Sequence, residues 1–305
     1  MPSFLNRVIT RFASPAPRLL PPLGGVVASS TAQGPGPVQQ DVCFHASLPG
    51  AKLLIVADGV GAFAGSDVIA NVAVLTAGTI IKRLIMAGLT VSEAMLRFVI
   101  EEVQTATREQ NAFLVTRGEE TGGTTLLIGV ETATYFYVAS VGDGCVVFVD
   151  GARPPVGNLL SLTPMRDYIG SPSAQLTPAI MALPKTNPEG HCLFVATDGI
   201  ATSIVGARAI ASEMTTVRYL AQELQVTLEH AWAMADVQEV LDAWTQERAR
   251  VEDLDGGGRA IDYSDDNRTV GVLIDDAYVR ARRRHGDLAL PRLERIDRPL
   301  RGAEA

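Results

Sequence analysis

Four aspartates stand at the ends of apolar runs, each next to a glycine or an asparagine. They are Asp58-Gly59 after LLIVA, Asp143-Gly144 between two β-rich runs, Asp198-Gly199 after CLFVAT, and Asp266-Asn267 before TVGVLI. One Asp-Gly step after a strand is only a turn signal. Four of them raise a chemical expectation. If the strands end at one edge of a common sandwich, their carboxylates converge, and converging carboxylates repel unless a hard cation such as Mg²⁺ or Mn²⁺ neutralises them.

Two other readings of these segments fail on their own chemistry. LLIVAD followed by Gly59-x-Gly61-x-x-Ala64 matches a loose dinucleotide fingerprint. The region about 20 residues on, 78–83, offers no acid for a ribose, and Asp58 would face a pyrophosphate. The acidic stretch at Asp253 and Asp255 hints at a calcium loop, but the twelfth position is Ser264 and three glycines interrupt the ligand pattern.

The elements that must position the aspartates can be read from periodicity. Residues 52–57 are a short apolar run between Pro49-Gly50 and Asp58-Gly59, the pattern of a buried strand. Residues 66–87 predict a helix covered on most sides. Residues 92–116 predict a second helix, opened by a capping box from Thr90 to Glu93. Three β-rich runs at 124–130, 134–140 and 145–149 predict an antiparallel meander. Residues 151–191 hold seven of the seventeen prolines and no clear period, which predicts an irregular flap. Strands are expected at 191–197 and 269–274, with two or three helices in 205–249. The order does not alternate as βαβ units do, and it suits packed sheets with helix pairs outside.

Composition narrows the classes. With 305 residues, 47% hydrophobic and 20% charged, the chain has the make-up of a globular protein with one large domain. No run of about 18 apolar residues marks a membrane span. Net charge is −8, while the first 22 residues carry three arginines and no acid, and 277–305 carry eight arginines against four acids. The core between them is therefore more acidic than the whole, which speaks against nucleic acid and for cations. Cys43, Cys145 and Cys192 stand far apart, with neither a CxxC pair nor zinc-spaced histidines. The expected organisation is a flexible leader at 1–22, a domain at 23–276, and an Arg-rich tail at 277–305 able to dock an acidic partner.

Taken together, the motifs resemble the metal-dependent type 2C serine/threonine protein phosphatases, in particular their bacterial branch. The likeness spans about 24–275 and keeps the family's order: Gly34-x-Gly36-x-x-Gln39-Gln40-Asp41, then VADGVGAFAG at 56–65, TGGTT at 121–125, VGDG at 141–144, VATDGI at 195–200 and SDDNRTV at 264–270. The resemblance implies an α+β fold, a four-layer αββα sandwich of two antiparallel sheets flanked by helix pairs, with a metal centre at one end. It implies that Asp58 bridges two Mg²⁺ or Mn²⁺ ions, that Asp198 and Asp266 complete one of them, and that the Gly59 carbonyl binds the other. Gln40 and Asp41 would act from behind, and Asp143 with Asp198 would hold a third ion. Two cations so placed lower the pKa of a bridging water and neutralise charge in an in-line transfer, so phosphoserine or phosphothreonine on protein substrates is hydrolysed without a protein nucleophile. Three positions depart from the family. Gly36 replaces an arginine that grips phosphate, Ala62 replaces the second glycine of DGxGG, and Val60 stands where some members have a histidine. These departures leave a rival class open, a catalytically weak or silent domain that binds phosphoproteins or regulatory partners. The 23 arginines to 3 lysines suggest a GC-rich genome and a cytoplasmic bacterial setting.

Overall fold

The computed structural model describes residues 20–34, 36–150, 156–161, 167–171, 176–199, 237–248 and 267–284. Its strands are β1 (Val26–Ala32), β2 (Val42–Leu48), β3 (Ala51–Ala57), β4 (Leu126–Thr132), β5 (Tyr135–Val141), β6 (Cys145–Asp150), β7 (Val156–Ser161), β8 (Ala179–Pro184), β9 (His191–Ala196) and β10 (Arg268–Ile274). Its helices are α1 (Ser66–Met86), α2 (Glu93–Thr116), α3 (Val237–Arg248) and α4 (Asp276–Arg284). The strands form two five-stranded sheets, in the orders β1-β10-β9-β6-β7 and β2-β3-β4-β5-β8, and the strand pairs within them are antiparallel.

Side-chain alternation along the strands builds the layers. On β3, Leu53, Ile55 and Ala57 face α1 and α2, while Leu54 and Val56 meet Leu127, Val195 and Leu273 between the sheets. Both faces of β3 are buried, which is why it reads as an unbroken apolar run. On the other sheet, Phe194, Val272 and Ile274 pack outward against Val237 and Leu241 of α3 and Tyr278 and Val279 of α4. The result is the expected α+β arrangement of helices, sheet, sheet and helices. α1 is apolar enough by composition to cross a membrane, with a mean hydropathy of 1.7, and half of that stretch is buried inside the fold.

Several elements differ from the sequence expectation. The run at 145–149 does not continue a meander with β4 and β5, because β6 crosses at the Gly142–Gly144 turn and pairs with β9 and β7 in the other sheet. The strand β2 is hidden in the sequence because His45 and Ser47 interrupt its apolar text, although Val42, Phe44 and Ala46 alternate toward the helices. Part of the expected irregular flap is regular: β7 and β8 are edge strands, one on each sheet, and the prolines of this stretch fall outside them, apart from Pro184 at the end of β8. α2 is capped by Ser92, whose hydroxyl accepts the Met95 N–H at 3.2 Å, and not from Thr90. The domain runs beyond 276, since α4 buries Tyr278, Val279 and Ala281 within the stretch read as tail. The leader up to residue 19 and the tail from 285 lie outside the described residues.

Candidate metal centre

One pole of the sandwich collects the ends of β3, β5 and β9 and the starts of β6 and β10. The registers Val56↔Leu127, Leu126↔Val141, Cys145↔Ala196 and Val270↔Ala196 place them side by side. Asp58 leaves β3 there, and its backbone is held on both sides. Its N–H donates to Thr125 Oγ1 at 3.0 Å, and its carbonyl accepts from Thr125 N–H and from Thr124 Oγ1, both at 2.8 Å. The Gly59 N–H donates to the Gln40 carbonyl at 3.2 Å, and the Val60 N–H to the Gly123 carbonyl at 2.9 Å. Ser66 ties the same loop down, donating to the Val60 carbonyl at 2.7 Å and accepting from Gly123 N–H at 3.2 Å. With so much of its backbone bonded, the Asp58 side chain has a defined direction.

The carboxyl groups meet at this pole. Asp41 is 3% exposed and accepts from Thr197 Oγ1 at 2.9 Å. Thr197 closes β9, bonded to Thr269 of β10 through both its N–H and its hydroxyl, and Asp198 follows it directly. Burial, then the charge of Asp41, then that of Asp198 push the Asp58 carboxyl up to about 12. Such a shift marks a place where negative charge is unstable until a cation arrives. The Asp143 turn leans on the same scaffold, since a Cβ at Gly142 would lie 2.7 Å from Thr125 Cγ2.

The donor chemistry fits a hard dication, with buried carboxylates and a glycine carbonyl at one pole. Among the described residues, no group of three or more His, Cys, Asp and Glu side chains is arranged to hold a metal ion by itself. The expected ligand Asp266 lies outside the described residues, as do Arg153 and Arg166, the arginines on the expected flap. Gln40 packs against the Asp58 loop, where a Cβ at Gly59 would lie 2.9 Å from its own Cβ.

Asn267 is contained in the sequence motif but is given no role of its own there. It is buried, accepts from Gly34 N–H at 3.1 Å and donates to the Val38 carbonyl at 3.3 Å, so it fastens the loop that carries Gly36. It also explains the Asp198-Gly199 step, because any Cβ at Gly199 would collide with the Asn267 carbonyl oxygen. Arg268, the next residue, runs beside the same turn, its Cγ 3.4 Å from where a Cβ at Gly199 would stand. It is 2% exposed and shares strand parity with Val270, Val272 and Ile274, which face the helix layer. Arg268→Ala is therefore expected to lower the melting temperature, not to raise KM selectively; thermal unfolding beside steady-state kinetics separates the two.

Comparison with known proteins follows the same lines. A family model described as protein phosphatase 2C matches residues 31–244. No curated protein sequence matches the chain. Among solved structures, the chain is similar to PppA of Pseudomonas aeruginosa, described as a key regulatory component of its T6SS (18% identity, 82% of this chain and 98% of that one, TM-score 0.55). It is also similar to the catalytic domain of the serine/threonine phosphatase PstP in complex with two manganese ions (16% identity, 82% and 98%, TM-score 0.53). A third is the PPM Ser-Thr phosphatase MsPP of Mycobacterium smegmatis in complex with cacodylate (19% identity, 82% and 97%, TM-score 0.52). The matched family model covers more than half of the chain, on a sandwich whose aspartate-bearing strand ends converge at one pole: this chain belongs to the protein phosphatase 2C family.

Proposed function

We propose that this chain hydrolyses phosphoserine or phosphothreonine on protein substrates with the help of Mg²⁺ or Mn²⁺. The observation that supports this reading most is the junction of Asp41, Asp58 and Asp198 at one pole of the sandwich, where burial first and then the two neighbouring charges hold the Asp58 carboxyl far above its ordinary range. In this reading Asp58, Asp198, Asp266 and the Gly59 carbonyl hold two ions, and Asp143 with Asp198 offers a place for a third. Bound there, the ions supply Lewis-acid neutralisation of phosphoryl oxygens and a more acidic water. The chain's own part is positioning. Thr124, Thr125 and Ser66 fix the Asp58–Val60 backbone, and Thr197 orients Asp41 behind it. The three cysteines are free thiols, which suits a reducing cytoplasm.

Hydrolysis of a phosphopeptide and of phenyl phosphate is the direct test, each with Mn²⁺, with Mg²⁺ and with chelator. Turnover that appears with metal and vanishes with chelator is the expected outcome. A folded chain that binds Mn²⁺ but releases no phosphate from either substrate would instead support the rival reading, a phosphoprotein-binding domain. Mn²⁺ at a hundred times its Kd should also raise stability by about 2.7 kcal/mol, seen as a shift in Tm.

The rival draws on Gly36, which is exposed and has nothing within 4 Å of where a Cβ would stand. No guanidinium comes from this position to grip a phosphate. Substrate binding is therefore expected to be weak, with turnover less affected. The open space means that Gly36→Arg should fold, and it is expected to lower KM for phenyl phosphate by about tenfold, the equivalent of about 1.4 kcal/mol. An unchanged KM in the folded variant would mean that position 36 does not reach the phosphate.

A further inference from the structure

Beside the Asp58 loop a small ladder runs on outward from the metal centre. Gly59 bridges Thr124, and Thr124 bridges Ile169, all antiparallel. Thr124 N–H donates to the Ile169 carbonyl at 3.0 Å, and Ile169 N–H to the Thr124 carbonyl at 2.8 Å. The segment 167–171 is thus a third rung in line with the loop after Asp58. Tyr168 sits on this rung with its ring laid on Gly123, where any Cβ would collide with it. Its ring pairs with Phe63 of the Asp58 loop, centroids 5.7 Å apart and tilted by 41°. Both aromatics are half-buried, so each keeps part of its surface toward solvent.

The rung is held firmly by polar side chains of α2. Gln104 donates to the Ser171 carbonyl at 3.0 Å and accepts from Gly170 N–H at 2.8 Å. Asn111 donates to the Gly122 carbonyl at 2.8 Å and to the Gly170 carbonyl at 3.1 Å, and accepts from Gly122 N–H at 2.9 Å. Arg108 Nε adds a bond to the Ser171 carbonyl at 3.0 Å. Gln104 and Asn111 are themselves buried, so the apolar ledge is mounted on a satisfied polar clamp. A wall fixed in this way can discriminate between side chains, because little ordering is left to do when a ligand arrives.

Distance suggests the occupant. Neighbouring rungs are about 4.8 Å apart, which puts Tyr168 roughly 10 Å from Gly59, and an extended peptide advances about 3.3 Å per residue. We propose that Phe63 and Tyr168 form a substrate subsite that receives an apolar or aromatic side chain two or three residues from the phosphorylated serine or threonine. This rests on the phosphatase reading of the neighbouring pole. The ring pair supplies apolar contact area next to the reacting end, while a small phosphate ester is too short to reach it.

Steady-state kinetics on a phosphopeptide set carrying Phe, Leu, Ala, Glu or Arg at each flanking position tests this, with phenyl phosphate as the short substrate. The wild type should prefer Phe and Leu at one such position. Tyr168→Ala should raise KM about tenfold for those peptides, with kcat nearly unchanged, and leave Ala peptides and phenyl phosphate within about twofold. Tyr168→Phe should behave as wild type. If Tyr168→Ala does not fold, Phe63→Ala carries the same expectation from the other ring. Equal losses on every peptide and on phenyl phosphate would show a structural role and overturn the subsite. So would a wild-type preference for Arg, or none at all. A wild type without metal-dependent turnover on any substrate would overturn the phosphatase reading itself, a result that cannot be confused with the others.

Discussion

Asp58→Asn is expected to lower kcat by at least about a thousandfold, some 4 kcal/mol of transition-state stabilisation, while the domain stays folded. The reason is placement. Asp58 is 7% exposed, its backbone is held by Thr124 and Thr125, and Asp41 and Asp198 press on its carboxyl. Asparagine keeps the shape and removes the charge, so a cation at this pole loses its central anionic ligand. The same substitution removes one of three mutually repelling carboxyls. In chelator the variant should therefore melt a few degrees above wild type, each kcal/mol being worth about 2–4 °C at this size. Mn²⁺ should raise the melting temperature of the wild type and raise that of the variant much less. Retained metal-dependent turnover, or an undiminished Mn²⁺ shift in the variant, would remove Asp58 from the centre.

A second large effect is expected at the opposite pole, on stability and not on chemistry. Lys52 begins β3 about 20 Å from Asp58, six residues back at about 3.3 Å each. Its Nζ lies 2.9 Å from Glu131 Oε2, with both side chains 1% exposed, and it also donates to the carbonyls of Gly24 and Ile274. Glu131 Oε1 accepts from Lys185 at 2.8 Å. Burial raises the Glu131 carboxyl above its ordinary range, against the pull of Lys52 and Lys185, so the pair is costly to desolvate and costly to break. Glu131→Ala leaves the Lys52 ammonium buried without its carboxylate, and about 3–5 kcal/mol of stability should be lost. Lys52→Met combined with Glu131→Leu should regain most of it, because neither of the two fully buried charges then remains. Chemical denaturation of the two variants measures the difference. If Glu131→Ala costs under about 1 kcal/mol, the pair does not stabilise this end of the sandwich. At temperatures where Glu131→Ala is still folded, phenyl phosphate turnover should be close to wild type, since the change lies at the far end of β3.

What the sequence determined by itself is local and chemical. Apolar alternation and its loss at Asp-Gly steps mark strand ends, and the order of the motifs carries the family. LLIVA is legible because both faces of β3 are buried, and α1 is legible because its residues are apolar on most sides. The sequence placed aspartates after strands, but a strand end has no address until the sheet order is known. Only the tertiary structure decided that β6 leaves its hairpin neighbours for the other sheet, which brings the Asp143 turn against Thr125. Only long-range pairing made edge strands of β7 and β8 out of a proline-rich text, and only packing drew Tyr278 from an apparently charged tail into the core. Only packing buried the Arg268 side chain, 2% exposed beside the Gly199 turn. The physical reason is common to all of these. Period and turn chemistry act over a few residues, whereas the contacts that set sheet order, side and burial join residues tens to hundreds of positions apart, and their sum is not written in any one window.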